Sequence, residues 1–156
     1  SYSSTMASPV PCLLVFRRAI ASSLKDAEQF TYRYDSGFCS LGKLQRLEWA
    51  NNSLTGQIPN DLGSSTSLTF IDLSRNNLRS YLPSTILSIP NLQSFMASGN
   101  NLEGEIPGQF QGCPALSVID LSSNNFSGTI PASVASCERL VNLNLNNQQY
   151  SFILST

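Results

Sequence analysis

One phrase recurs at a fixed interval and leaves the chain little freedom in how it folds. It runs Leu-x-x-Leu-x-Leu-x-x-Asn-x-Leu-x-Gly-x-Ile-Pro, with substitutions. The first copy is Leu44, Leu47, Trp49, Asn52, Leu54, Gly56, Ile58 and Pro59. The second is Leu68, Ile71, Leu73, Asn76, Leu78, Ser80, Leu82 and Pro83. The third is Leu92, Phe95, Ala97, Asn100, Leu102, Gly104, Ile106 and Pro107. The fourth is Leu116, Ile119, Leu121, Asn124, Phe126, Gly128, Ile130 and Pro131. Each copy opens 24 residues after the last, and a fifth opens at Leu140. A unit this short cannot enclose a core by itself, so successive copies must stack and share one.

The residue types say how each unit turns. The Leu-x-x-Leu-x-Leu stretch holds a short strand whose alternate side chains point inward, and the strands of successive units pair in parallel. The Asn column (Asn52, Asn76, Asn100, Asn124) lies where the chain leaves the strand, where an amide can satisfy backbone groups otherwise buried without partners. Gly and Pro then set the bend and the return. A further apolar column, Leu62, Ile86, Phe110 and Val134, keeps the same period. The predicted fold is an α/β solenoid. It is a leucine-rich repeat horseshoe segment with a parallel β-sheet on the concave face and an irregular or 3₁₀ convex side. Four full repeats and a partial fifth occupy residues 41–156.

Residues 1–40 do not repeat. Leu13, Phe16, Ile20, Leu24 and Ala27 share one helical face, which predicts an amphipathic helix over residues 13–30, read either as a cap on the solenoid or as an unrelated segment. The fifth repeat holds the pattern at Leu140, Leu143 and Leu145, then places Gln148, Gln149 and Tyr150 where the ladder Asn and the next Leu belong. That ending reads as a truncated or alternatively ended product.

Composition narrows the function. With 9 basic and 10 acidic side chains and 12% charged residues, the chain offers no clustered basic surface for nucleic acid. It has no histidine, and so lacks the commonest general base and metal ligand. No metal site and no cofactor are expected. Cys12, Cys39, Cys113 and Cys137 show no short zinc or redox spacing. Cys113 and Cys137 share a repeat column; a disulfide between them is sterically conceivable, but they are read as two small buried hydrophobes. The apolar run near the start, residues 12–16, is far shorter than the ~20 residues of a membrane helix.

No catalytic constellation stands out. Glu48, Asp72 and Asp120 share a column, but a carboxylate recurring at the repeat period reads as scaffold. The working surface is instead the concave sheet, whose outward columns follow from strand alternation. One is Arg46, Phe70, Ser94, Val118 and Asn142; the next is Glu48, Asp72, Met96, Asp120 and Asn144. Beyond them lie Ala50, Ser74, Ser98, Ser122 and Asn146, then Asn51, Arg75, Gly99, Ser123 and Asn147. Arg46, Phe70, Asp72, Arg75, Met96 and Asp120 are the candidate ligand-binding residues, because aromatic and Arg side chains suit protein contacts. A peptide lying across these columns could place its carboxylate on an Arg. Trp49 occupies an inward Leu position and is assigned to the core. Asn51 and Asn125 open Asn-x-Ser triplets, the glycosylation signal of secreted chains. A glycan on Asn51 would crowd the concave face.

The Gly-x-Ile-Pro half of the repeat, as in residues 54–59 and 126–131, resembles the plant class of leucine-rich repeat. That class is typical of receptor-like kinases, receptor-like proteins and polygalacturonase inhibitors. Residues 67–90 (SLTFIDLSRNNLRSYLPSTILSIP) and the following NLQSFMASGNNLEGEIP are similar to ectodomains of the vascular peptide-receptor group of receptor-like kinases. The resemblance covers residues 41–147, and the family's N-terminal cap with paired cysteines and Trp is missing from residues 1–40. It implies a protein- or peptide-binding module with no enzymatic activity of its own. Its parent would stand on the extracellular face of the plasma membrane, bind a secreted peptide or a co-receptor kinase ectodomain, and signal through a serine/threonine kinase. The alternatives are a soluble repeat protein binding another protein, such as a cell-wall polygalacturonase, and a non-functional truncated product.

Overall fold

In the computed structural model, residues 45–108, 110 and 113–148 are described. The helix predicted over 13–30, Cys12, Cys39 and Leu44 lie outside that range, as do Gln149 and Tyr150.

Each coil begins with a three-residue strand: β1 (Arg46–Glu48), β3 (Phe70–Asp72), β5 (Ser94–Met96), β7 (Val118–Asp120) and β9 (Asn142–Asn144). They form one parallel sheet in the order β1-β3-β5-β7-β9. Pairing joins Arg46 to Phe70, Ser94, Val118 and Asn142 in turn, as the period requires. The central residue of each strand points inward. Ile71, Phe95 and Ile119 are fully buried, and the residues flanking them are half-buried on the outer face.

The second half of the repeat adds strands that the sequence pattern does not name. Before the chain reaches its 3₁₀ turns it forms β2 (Thr55–Gly56), β4 (Asn77–Tyr81), β6 (Asn101–Glu105) and β8 (Asn125–Ser127). These make a second parallel sheet on the flank of the solenoid. The segment Asn77–Tyr81 alternates outward and inward, with Leu78 buried between exposed Asn77 and Arg79. The Leu of Leu-x-Gly is thus the inward residue of a strand, not an isolated core contact. Pairing here is offset by 22 residues, as in Thr55 with Asn77 and Glu103 with Asn125, two short of the repeat. The Gly column bends these strands at positive φ: 86° at Gly56, 82° at Gly104 and 86° at Gly128. The second repeat places Ser80 there at φ 79°, a conformation that costs an L-residue about 1–2 kcal/mol.

Among the described residues the far side carries three 3₁₀ turns, η1 (Asn60–Ser64), η2 (Ile86–Ser88) and η3 (Ala132–Ser136). Leu62, Ile86 and Phe110 fill the core beneath them, while Val134 is only partly buried. Trp49 packs against the core from a half-buried position. Hydroxyls tie neighbouring coils: Thr69 donates to the Gln45 carbonyl, Thr85 to Asn60, Ser117 to Gln93 and Ser133 to Gly108.

Two sequence readings change. Cys113 and Cys137 are buried as expected, but they are not free thiols: they form a disulfide. Stacking brings their Cα atoms to 5.2 Å, within the range a disulfide spans. The ladder, moreover, does not stop at Asn124. Asn100 shows the general arrangement. Its Oδ1 accepts from Leu78 N on the preceding coil, and its Nδ2 donates to the carbonyls of Leu73, Ala97 and Ser98. Asn76 and Asn124 repeat the pattern. Gln148 then supplies a fifth rung. Its Oε1 accepts from Phe126 N at 3.1 Å, and its Nε2 donates to the Leu121 carbonyl at 2.8 Å. The amide is conserved in kind and one methylene longer in reach.

Candidate ligand-binding face

The concave sheet sets the candidate side chains in a grid. Residues flanking the buried centre of each strand face outward, and parallel strands lie about 4.8 Å apart. Phe70, Met96 and Val118 are half-buried on this face. Phe70 and Val118 share a column with Ser94 between them, and Met96 stands in the next column. The three form an apolar patch around the Ser94 hydroxyl.

Arg46, at the first strand, is not an open anion site. Its Nε and Nη2 both donate to Glu48 Oε1, at 2.8 and 2.6 Å, and its guanidinium carbon lies 4.0 Å from the Phe70 ring centroid. Glu48 neutralises the cation, and the ring face gives it a second contact. The Arg–Glu pair is more than half exposed and adds little to stability. Its effect is to orient Arg46 and cover one face of the Phe70 ring.

The carboxylates of the second column are drawn into local turns. Asp72 Oδ1 accepts from Ser74 N, and Asp120 Oδ1 accepts from both the amide and the hydroxyl of Ser122. Asn144 does the same for Asn146 N. Each side chain closes an Asx turn at the strand exit, which explains why Asp-x-Ser recurs. Asp72 and Asp120 therefore combine a scaffold role with a half-exposed position on either side of Met96.

Arg75 lies beyond the strands. Asn51, Arg75, Ser123 and Asn147 all adopt φ between 54° and 57°, and Gly99 φ 65°. This fourth column is a row of left-handed turn residues rather than a strand column. The N–H groups of Asn51, Arg75, Gly99 and Ser123 still reach the next coil, as in Arg75 N to the Ser98 carbonyl and Gly99 N to the Ser122 carbonyl. Gly99 has no side chain, and a Cβ there would sit 3.5 Å from Arg75 Cγ. The Arg75 side chain is exposed and runs over Gly99 toward the third coil. Two participants were missed as candidates: Glu48, which holds Arg46, and Val118, which completes the apolar patch. Their columns were legible, and the shared register with Arg46 and Phe70 was the signal. Of the two glycosylation triplets, Asn51 lies exposed at the concave rim, and Asn125 lies on β8 in the flank sheet.

Comparison with known proteins decides the family. Models described as Leucine rich repeat match residues 90–149, and 43–65 with 67–89. In the crystal structure of the BIR3–SERK2 complex from Arabidopsis thaliana, a chain 30% identical superposes with a TM-score of 0.73. The match covers 96% of this chain and 84% of that one. The chain belongs to the plant leucine-rich repeat receptor-kinase ectodomains. Two further members of this ectodomain family are longer. The plant peptide hormone receptor RGFR1 in complex with RGF2 is 31% identical, with a TM-score of 0.67. The Arabidopsis receptor kinase HAESA ectodomain, in complex with an N-terminally extended IDA peptide hormone, is 34% identical, with a TM-score of 0.66. The present chain covers 18% of each of these two, and 71% of it is matched. No curated protein sequence matches it.

Proposed function

We propose that the concave sheet binds an extended peptide. The observation that carries this reading is the half-exposed patch of Phe70, Met96 and Val118, bordered by two carboxylates and by Arg75. Five strands at about 4.8 Å spacing offer a track of roughly 19 Å, enough for about six extended residues. Phe70 and Met96 supply apolar contact, Asp72 and Asp120 accept hydrogen bonds, and Arg75, which has no ion pair among the described residues, offers its guanidinium to a carboxylate. Peptide hormones bound to RGFR1 and HAESA support the class of ligand. The BIR3–SERK2 complex supports a second receptor-kinase ectodomain as a further partner. In this reading the chain works on the extracellular face of the plasma membrane within a receptor that signals through a serine/threonine kinase.

The test is a binding screen with synthetic peptides bearing free C-termini. Phe70→Ala and Arg75→Ala are each expected to weaken a captured peptide by about 1 kcal/mol or more, the loss that marks a hot spot. Amidating the peptide C-terminus should mimic Arg75→Ala and add nothing to it. Unchanged affinity in both variants removes the concave patch from the site.

A further inference from the structure

The flank sheet carries a site of a different kind. Its two-residue stagger aligns Tyr81, Glu103 and Asn125 in one column across β4, β6 and β8. These three residues, with Gly104 and Ser127, line a shallow groove of about 300 Å³. That size lies at the small end of ligand sites and suits a single ring better than a larger molecule. Tyr81 is 66% exposed, an unusual setting for a large aromatic side chain in this solenoid. Its ring rests on Gly104, where a Cβ would come within 2.3 Å of Tyr81 Cδ1. The missing side chain therefore lets the ring lie down beside the groove.

The other wall is the triplet Asn125-Phe126-Ser127. Phe126 is fully buried, so strand alternation turns Asn125 and Ser127 to the same outer face. That geometry presents the asparagine amide and the hydroxyl of the acceptor triplet together, beside an exposed aromatic face. We propose that Asn125 carries an N-linked glycan whose first N-acetylglucosamine ring packs in this groove against Tyr81. Attachment joins Asn125 Nδ2 to the anomeric carbon of the sugar. The bond from that carbon to a lipid-linked diphosphate donor breaks, the diphosphate leaves with its electron pair, and one amide proton is released. The apolar face of the sugar covers the Tyr81 ring, and its polar groups meet the exposed Glu103 beside it. This inference rests on the reading of the chain as an extracellular ectodomain. It adds that the flank beside β6 and β8 is covered by sugar.

The chain is expressed behind a cleavable signal sequence in a eukaryotic host and trimmed with an endoglycosidase to one N-acetylglucosamine. Mass spectrometry of the peptide containing Asn125, on retained and secreted fractions alike, reads occupancy. Asn125→Gln and Ser127→Ala should both lose the sugar, the second without altering the acceptor residue. The trimmed glycoprotein should melt roughly 2 °C above Ser127→Ala, and Tyr81→Ala should abolish that difference. An unoccupied Asn125 in both fractions overturns the proposal. So does a melting difference that Tyr81→Ala leaves intact. Neither result touches peptide binding on the concave sheet, which is measured separately.

Discussion

An interior coil and the last coil use the same closing chemistry in different surroundings. Asn100 bonds four backbone groups and is 7% exposed, and the core residues around it, Leu92, Phe95 and Ala97, are almost wholly buried. Gln148 bonds Phe126 N and the Leu121 carbonyl from a half-buried position. Its neighbours Leu140, Leu143 and Leu145 are only partly buried, and Val141 is 84% exposed. The amide geometry survives an extra methylene; the burial does not survive the change of position. In a stacked repeat array each coil leans on its neighbours, so stability should be graded along the chain. The Cys113–Cys137 disulfide crosses the gradient, tying the turn before the last coil to a better buried one.

Substitutions can break or sharpen this contrast. Asn100→Ala should have the largest effect, a loss of roughly 4 kcal/mol in a urea melt followed by circular dichroism, because it strands a buried N–H and several carbonyls. Cys137→Ala should cost about 3 kcal/mol, from the closure of a loop of about 24 residues. Hydrogen exchange should show β9 losing protection before β5. Gln148→Ala should cost only about 1 kcal/mol, since water can replace its bonds. An equal loss at Asn100 and Gln148 would end the idea of a graded solenoid. Ser80→Gly should widen the contrast by stabilising an interior coil by roughly 0.5 kcal/mol, the relief of a left-handed serine less the entropy of glycine. No gain in the melt would show that Ser80 carries no strain.

The concave sheet was legible because its signal is redundant. Strand alternation and the repeat period both fix where Arg46, Phe70, Asp72 and Met96 stand, and pairing follows them. What escaped depends on contacts that no single column displays. The flank sheet is hidden in the sequence because its partners are 22 residues apart, off the 24-residue period of the repeat. Gln148 looks like a break only when the ladder is defined by identity, Asn, rather than by the amide group. Burial of Cys113 and Cys137 fits a thiol or a bridge equally well, and only the distance between coils separates the two. On the candidate face, the pairing of Arg46 with Glu48 and the turn bonds of Asp72 and Asp120 depend on side-chain torsions. Pattern alone does not report those.

The two-residue stagger of the flank also sets how the molecule scales. A concave column joins equivalent positions, so Arg46, Phe70, Ser94, Val118 and Asn142 would be extended by every coil added. A flank column drifts two residues toward the strand start at each step. Tyr81 is the last residue of β4, Glu103 the middle of β6 and Asn125 the first of β8, so the row runs out after three coils. Lengthening such a solenoid enlarges its inner track in proportion to coil number, while a flank row stays the width of a few strands. Inner surfaces of this architecture suit long ligands, and flank surfaces suit compact ones.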